Sequence, residues 1–208
     1  LLALANRSFL TRDAAGRFVQ HPVAARYVRE RAEERPDVVH EARARHARFF
    51  TSRMRSEGVR HVGMETGKVD PAWLPDLSNL HEAWLWAADH GREDLLDAAA
   101  ATLTDLSIET RRHAEGIAAF ARAADRLPHD SLVRGRMLRH RGDLHGWHTE
   151  HEAATSVLEE SIAIFRRREA HHDEALALLL LALNSGFSFR PSGDVRALWK
   201  RALRLFRQ

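Results

Sequence analysis

The chain has 208 residues, with 32 Lys and Arg against 29 Asp and Glu, a formal charge of +3, and 44% hydrophobic residues. That balance excludes an extreme polycation, an acidic tail and a disordered polyampholyte, and it supplies enough apolar side chains for a core. The absence of Cys excludes disulfides, thiolate metal sites and Cys nucleophiles, and it fits a reducing, cytoplasmic setting.

The basic residues are 30 Arg and only two Lys, Lys68 and Lys200. Acids are interleaved with them, as in Arg29-Glu30-Arg31-Ala32-Glu33-Glu34-Arg35, the pattern of solvated helix faces carrying i,i+4 pairs. The longest strongly apolar run, Ala175 to Leu183, falls far short of the ~20 residues that cross a bilayer, so no membrane partner is expected. Leu1 in place of Met, with apolar or amphipathic patterns at both ends, reads as a piece of a longer polypeptide.

The first elements are two short strands. Phe9-Leu10-Thr11-Arg12 and Arg17-Phe18-Val19-Gln20-His21 flank Asp13-Ala14-Ala15-Gly16, which predicts a β-hairpin over 9–21. His21-Pro22 then opens an amphipathic helix with Val23, Tyr27 and Val28, and Pro36 is expected to stop it. A long helix from about Asp37 to Ser56 should bury Val38, Ala42, His46, Phe49 and Met54. Gly58, Gly63, Gly67, Pro71 and Pro75 mark a loop. Leu77, Leu80, Ala83, Trp84 and Ala87 have helical spacing, with Gly91 as the left-handed stop. Another helix is predicted from Glu93 to Leu106.

The last hundred residues repeat themselves. Gly116, Phe120, Ala123 and a terminating Pro128 align with Ala154, Leu158, Ser161 and with Val195, Trp199, Ala202, at offsets of 38 and 41 residues. Preceding partner helices carry Leu138 and Gly142 in one unit and Leu176 to Leu183 in the next. Small residues let paired helices approach while the large one fills the gap between units, so the pattern predicts stacked α-hairpins with a recognition wall.

The spacing of Gly116, Phe120, Ala123 and Pro128, with Gly142 twelve residues before Ala154, resembles the tetratricopeptide repeat in degenerate form. The N-terminal part, Leu4-Ala5-Asn6-Arg7-Ser8-Phe9-Leu10, Gly16 to Val23 and Arg26-Tyr27-Val28, resembles the end of the winged-helix domain of STAND-type signalling ATPases. These include bacterial regulators of the antibiotic-activator and maltose-activator type. Arg45 to Phe50 and Leu77 to Ala87 look like the helices that join that wing to the repeats. The resemblance implies an upstream P-loop domain binding ATP or ADP, repeats that sense a protein, peptide or small effector, and no nucleotide site within the present residues. His21 resembles the residue that contacts the β-phosphate of ADP in such proteins; its alternative role is to cap its own helix. Pro22 departs from the Asp that many relatives carry there.

Other chemistry is poorly represented. Gly63-Met64-Glu65-Thr66-Gly67-Lys68-Val69 has three residues between its glycines and Val after Lys, where a phosphate loop needs four and Ser or Thr. His145, His148 and His151, with His140 and Glu150 nearby, raise zinc as an alternative to an inter-helix turn with exposed His; the turn is favoured, and His171-His172-Asp173 reads as another. There is no Gly-x-Ser-x-Gly elbow or His-Glu-x-x-His motif, and Glu159-Glu160 lies among Arg on a helical face. Trp73, Trp84, Trp86, Trp147 and Trp199 read as packing residues rather than stacking platforms. Arg7, Arg12 and Arg17 leave DNA binding by the hairpin as the alternative function.

The expectation is therefore an all-α, helical-repeat array preceded by the C-terminal part of a winged helix with one short β-hairpin. Its divisions would be 1–35 for the winged-helix end, 36–106 for a helical connector and 107–208 for the repeats. The expected function is non-catalytic and regulatory, with no metal or cofactor of its own.

Overall fold

The computed structural model describes residues 2–13, 16–57, 71–187 and 195–208, and these are mostly helical with one two-stranded sheet. The Gly63–Val69 segment lies outside the described residues, as do Ala14 and Ala15 of the hairpin turn. Chain packing divides the protein into two units, 1–45 and 46–208. Within the second unit, helices before residue 106 pack directly on those after it.

In the first unit, a four-residue helix α1 (Leu2–Ala5) leads into β1 (Leu10–Arg12), which pairs antiparallel with β2 (Phe18–Gln20) in the register Thr11↔Val19. The turn between them closes through Asp13, whose carboxylate accepts from the Arg17 amide at 2.8 Å. Helix α2 (Pro22–Ala32) starts where predicted, with Pro at a position whose N–H would have no helical acceptor. None of its residues is buried. Pro36 does not stop α2; it is the first residue of α3 (Pro36–Glu57).

The stripe that α3 buries is Ala44, Ala47, Phe50, Thr51 and Met54, offset from the predicted one. Val38 and Phe49 are exposed. Between adjacent phenylalanines, periodicity alone cannot choose; the small Ala44 and Ala47 share a face with Phe50 and Met54, and that face packs. Residues Pro71–Asp76 form a short 3-10 helix rather than loop, and its Trp73 is buried beneath the Arg53 guanidinium, 5.1 Å from the ring centre.

The rest of the second unit is a succession of helices: α4 (Leu77–Asp89), α5 (Glu93–Glu109), α6 (His113–Arg126), α7 (Leu132–Trp147), α8 (His151–Arg167), α9 (His171–Phe187) and α10 (Val195–Leu205). From α6 onward each helix packs on the next, and alternate helices also touch, α5 on α7, α7 on α9 and α4 on α6. This is a stack of α-hairpins. Four of their corners share one device. After α4 the Gly91 amide bonds to Ala88 O at 3.1 Å and the Arg92 amide to Ala87 O at 2.9 Å, with Gly91 at φ +56°. The same pair of bonds closes α5, α7 and α8, but there the left-handed residues are Arg111, Thr149 and Glu169, all lacking glycine's freedom.

The repeat alignment describes the packing. Phe120 and Ala124 of α6 and Leu127 at its C-cap are buried in one core with Met137 and Leu138 of α7. In α8 the same register positions, Leu158, Ile162 and Phe165, are buried with Ala177, Leu178 and Leu181 of α9. In α10 they are Trp199, Leu203 and Phe206, which are 38%, 53% and 42% exposed, while Ala202 is buried against α9. The small residues mark close approaches: a Cβ on Gly116 would sit 2.7 Å from Leu144 Cδ1, and one on Gly142 only 2.6 Å from Leu158 Cγ. Ala123, Ala154 and Ser161 are fully buried, and Ser161 Oγ donates to Gly135 O at 2.9 Å. Pro128 is exposed just beyond α6.

Two tests follow from this geometry. Gly142→Ala should cost about 1–3 kcal/mol in urea unfolding, because Leu158 has nowhere to retreat, and the added substitution Leu158→Ala should recover part of the loss in a double-mutant cycle. Thr149→Gly should raise the unfolding midpoint by the equivalent of about 0.5–1 kcal/mol, since a β-branched residue at φ +63° is held in a conformation it disfavours.

Candidate functional site

Once α-hairpins are stacked, the first helix of each pair keeps one face that no neighbour covers. Faces of α5, α7 and α9 together line a cavity of about 480 Å³. One wall is apolar: Leu176, Leu179, Leu180 and Leu183 lie on one stripe of α9, all half-buried. Helix α9 is thus apolar on two sides, since Ala177, Leu178 and Leu181 on its other face belong to the core. The opposite wall carries the chemistry, with Thr104, Asp105 and Ile108 from α5 and Arg139, His140, Asp143 and Trp147 from α7. Residues 139, 140, 143 and 147 share a helix face by their spacing.

These polar groups are held from behind. Thr104 Oγ1 donates to Ala100 O at 3.0 Å, so at its 2.9 Å contact with His140 Nδ1 it accepts a proton from the ring. That leaves His140 Nε2 to accept from Arg139 Nη2 at 3.2 Å. The His140 ring also stacks on Phe120, centroids 5.5 Å apart, and Phe120 meets Trp84 edge-on at 4.9 Å. Burial, then the Arg139 and Arg136 charges, hold His140 well below the usual histidine range, so it is neutral. Arg139 is drawn below its ordinary value by burial but remains a cation, and its Nε is buried with no hydrogen-bond acceptor.

The two carboxyls are unlike the surface acids. Burial first, then the negative neighbours Asp143 and Glu109, push Asp105 up to about 7. Burial pushes Asp143 up to about 6 against the opposing pull of Arg139 and a hydrogen bond from the Trp147 indole. Beside the cavity, Arg136 fixes the spacing of all three helices: Nη1 reaches Asp97 of α5 at 2.7 Å, and Nε and Nη2 fork onto Asp173 of α9 at 3.1 and 2.9 Å. On the next helix pair, Glu174 takes Arg166 of α8 and Arg201 of α10, each at 2.9 Å.

The residues singled out from sequence are distributed around this groove. Gly142 lines it and Phe120 supports it from behind, while Gly116, Ala123, Ala154, Leu158 and Ser161 hold the helices together. Trp199 lies outside it, on the exposed stripe of α10. In the first unit, His21 is the N-cap of α2, its Nδ1 accepting from the Val23 amide at 3.3 Å. The three histidines at the α7–α8 corner do not converge. His145 is buried rather than exposed, with Nδ1 2.6 Å from Glu150 Oε2; His151 Nδ1 donates to Asn184 Oδ1 at 2.7 Å; and His148 is exposed. No group of three potential metal ligands occurs among the described residues. His171 and His172 form the first turn of α9 rather than a corner. Of the tryptophans, Trp73 and Trp84 are core, Trp147 lines the groove at 40% exposure, and Trp86 stacks on His90 with 4.1 Å between centroids.

No protein-family model, curated protein or solved structure matches this chain. Among the described residues no helix is long and apolar enough to cross a membrane.

The raised carboxyls make a prediction about stability. Both bind protons more tightly folded than unfolded, so their contribution falls as pH rises from about 4 to about 7. Asp105 has Glu109 on its own helix and Asp143 on α7 as charged neighbours and shares the cavity with Arg139, His140 and His151; among the described residues α9 contributes Leu and Asn184 to the lining. Asp105→Asn should therefore raise the urea unfolding free energy by on the order of 1–3 kcal/mol at pH 8 and change it little at pH 4. An equal change at both pH values would assign the effect to packing.

Proposed function

We propose that this chain is the non-catalytic, regulatory and sensing region of a STAND-type transcriptional regulator. On this reading, residues of the first unit form the end of a winged helix, the stacked hairpins are tetratricopeptide-like repeats, and the groove binds a protein, peptide or small effector. An ATPase domain elsewhere in the parent polypeptide would use the ATP or ADP, and the protein would work in the cytoplasm. The observation that carries the reading is the groove on α5, α7 and α9: a mostly apolar cleft with a few fixed polar groups, which is the make-up of a recognition site. The first unit adds support. Tyr27 and Val28 of α2 are 54% and 50% exposed, as suits a segment that completes its packing against another domain. His21 serves as a cap in this chain, and its contact with a nucleotide phosphate would belong to the parent protein.

The DNA-binding alternative rests on Arg7, Arg12 and Arg17. Arg12 is occupied within the hairpin, donating from Nε to Gly16 O at 2.9 Å and lying 5.8 Å from the Phe18 ring centre. A mobility shift lost on changing all three to Ala would favour that alternative.

Peptides selected from a random library against this chain should bind in the groove. Leu179→Arg, at a half-exposed wall position, should weaken them at least about tenfold with the thermal midpoint kept, whereas selected peptides insensitive to that change would overturn the assignment. Calorimetry with ADP should show no tight binding to this chain; nanomolar affinity would place a nucleotide site within it.

A further inference from the structure

Resting on the reading of the groove as the recognition surface, its chemistry narrows what the groove accepts. Two carboxyls, Asp105 and Asp143, share the cavity with one guanidinium, Arg139. The other cation nearby, Arg136, is already committed to Asp97 and Asp173. The groove is thus locally acidic within a chain of net charge +3, which gives it a sign of its own. A ligand that brings a cation to the two carboxyls relieves the repulsion between them, and a ligand that brings an anion adds to it.

Arg139 supplies the second requirement. Its Nη2 is spent on His140, but its Nε is a buried donor with no acceptor, on the same helix face as Asp143 four residues on. A hydrogen-bond acceptor placed near the ligand's cation satisfies it. The third requirement is the Leu176, Leu179, Leu180 and Leu183 stripe, which rewards an apolar body. The cavity volume of about 480 Å³ limits that body to the size of a short peptide end.

We propose that the groove captures the free amino terminus of an apolar peptide segment. The ammonium group lies between Asp105 and Asp143, the first carbonyl accepts from Arg139 Nε, and the leading side chains pack on the leucine stripe of α9. Of the groups common in polypeptides, the amino terminus alone places a compact cation beside a carbonyl acceptor with apolar side chains directly attached. A lysine side chain offers the cation without the adjacent acceptor.

The test compares Leu-Leu-Leu-amide with N-acetyl-Leu-Leu-Leu-amide by calorimetry on the whole chain at pH 7.5 and low salt. Acetylation removes the charge and keeps the apolar body. The free amine should bind at least about tenfold tighter, as a charge-assisted hydrogen bond in a half-buried site implies. Asp143→Asn should abolish most of that preference, bringing the free amine to within about twofold of the acetylated peptide when both are measured on that variant. Equal binding of the two peptides by the unaltered chain would overturn the inference and leave the groove an apolar recognition surface. Failure of both to bind would overturn it as well, and the library selection with Leu179→Arg would then decide the broader reading by itself.

Discussion

The second helix of each hairpin cannot bury its own stripe, and that constraint organises the second unit. Phe120, Ala124 and Leu127 need α7; Leu158, Ile162 and Phe165 need α9. Because the covering helix is always the first of the next pair, the first helices are drawn into a row that leaves one face of each uncovered. The groove is therefore a by-product of how the hairpins bury themselves. Its width is set by the small residues that fix how near the helices come, Gly116 and Gly142 among them, and by the Arg136 fork that spans α5, α7 and α9. Hydrophobic packing supplies the stability, and the charged fork supplies a fixed register at a desolvation cost that its two carboxylates offset.

Against that rigid background the groove is built at a loss. Asp105 and Asp143 are carboxyls whose proton affinity burial raises, Asp105 further by the charge of Asp143, and Thr149, at the rim, holds a left-handed conformation that a β-branched residue disfavours. A chain selected only for stability would place amides at the first two positions and glycine at the third. Gly91 occupies the equivalent corner away from the groove, so the fold accepts glycine there without difficulty. Arg111 and Glu169 hold the same conformation at corners away from the groove, so what sets the cavity apart is the pair of carboxyls desolvated in it.

Much of the scaffold was legible in the sequence. Small residues at 116, 142 and 154 with large ones at 120 and 158 could be aligned because close approach demands the same volumes in each unit, and turn residues such as Gly91 announce themselves locally. The buried stripe of α3 is not fixed by its own sequence, since two adjacent Phe residues fit either face and the deciding partners lie far along the chain. Trp199 shares its spacing with Phe120 and Leu158 but is exposed, because burial depends on what packs against it. The site itself left a weaker trace. Leu176, Leu179, Leu180 and Leu183 read as core in a helix that is apolar all round; only the stacking shows that α9 has two apolar sides with different neighbours. Asp105 and Asp143 sit among 29 acids, and nothing local separates them from the solvated ones, because their burial comes from helices 38 residues apart in sequence.

The groove is also tied to the core by contiguous contacts. Arg139 donates to His140, the His140 ring lies on Phe120, Phe120 meets Trp84, and the Trp84 indole donates to Ala119 O at 3.0 Å. A ligand acceptor that engages Arg139 Nε acts on the guanidinium whose other arm orients His140, and His140 is packed too tightly against Phe120 to move alone. These contacts run from the groove to α6 and α4 without a break. Contiguous packing of this kind is a condition for transmitting a binding event, and what turns transmission into a switch is a second arrangement of the same helices that the ligand disfavours. The Arg136 fork is the contact that such a second arrangement would have to break. It is bonded to both flanking first helices, through Asp97 of α5 and Asp173 of α9.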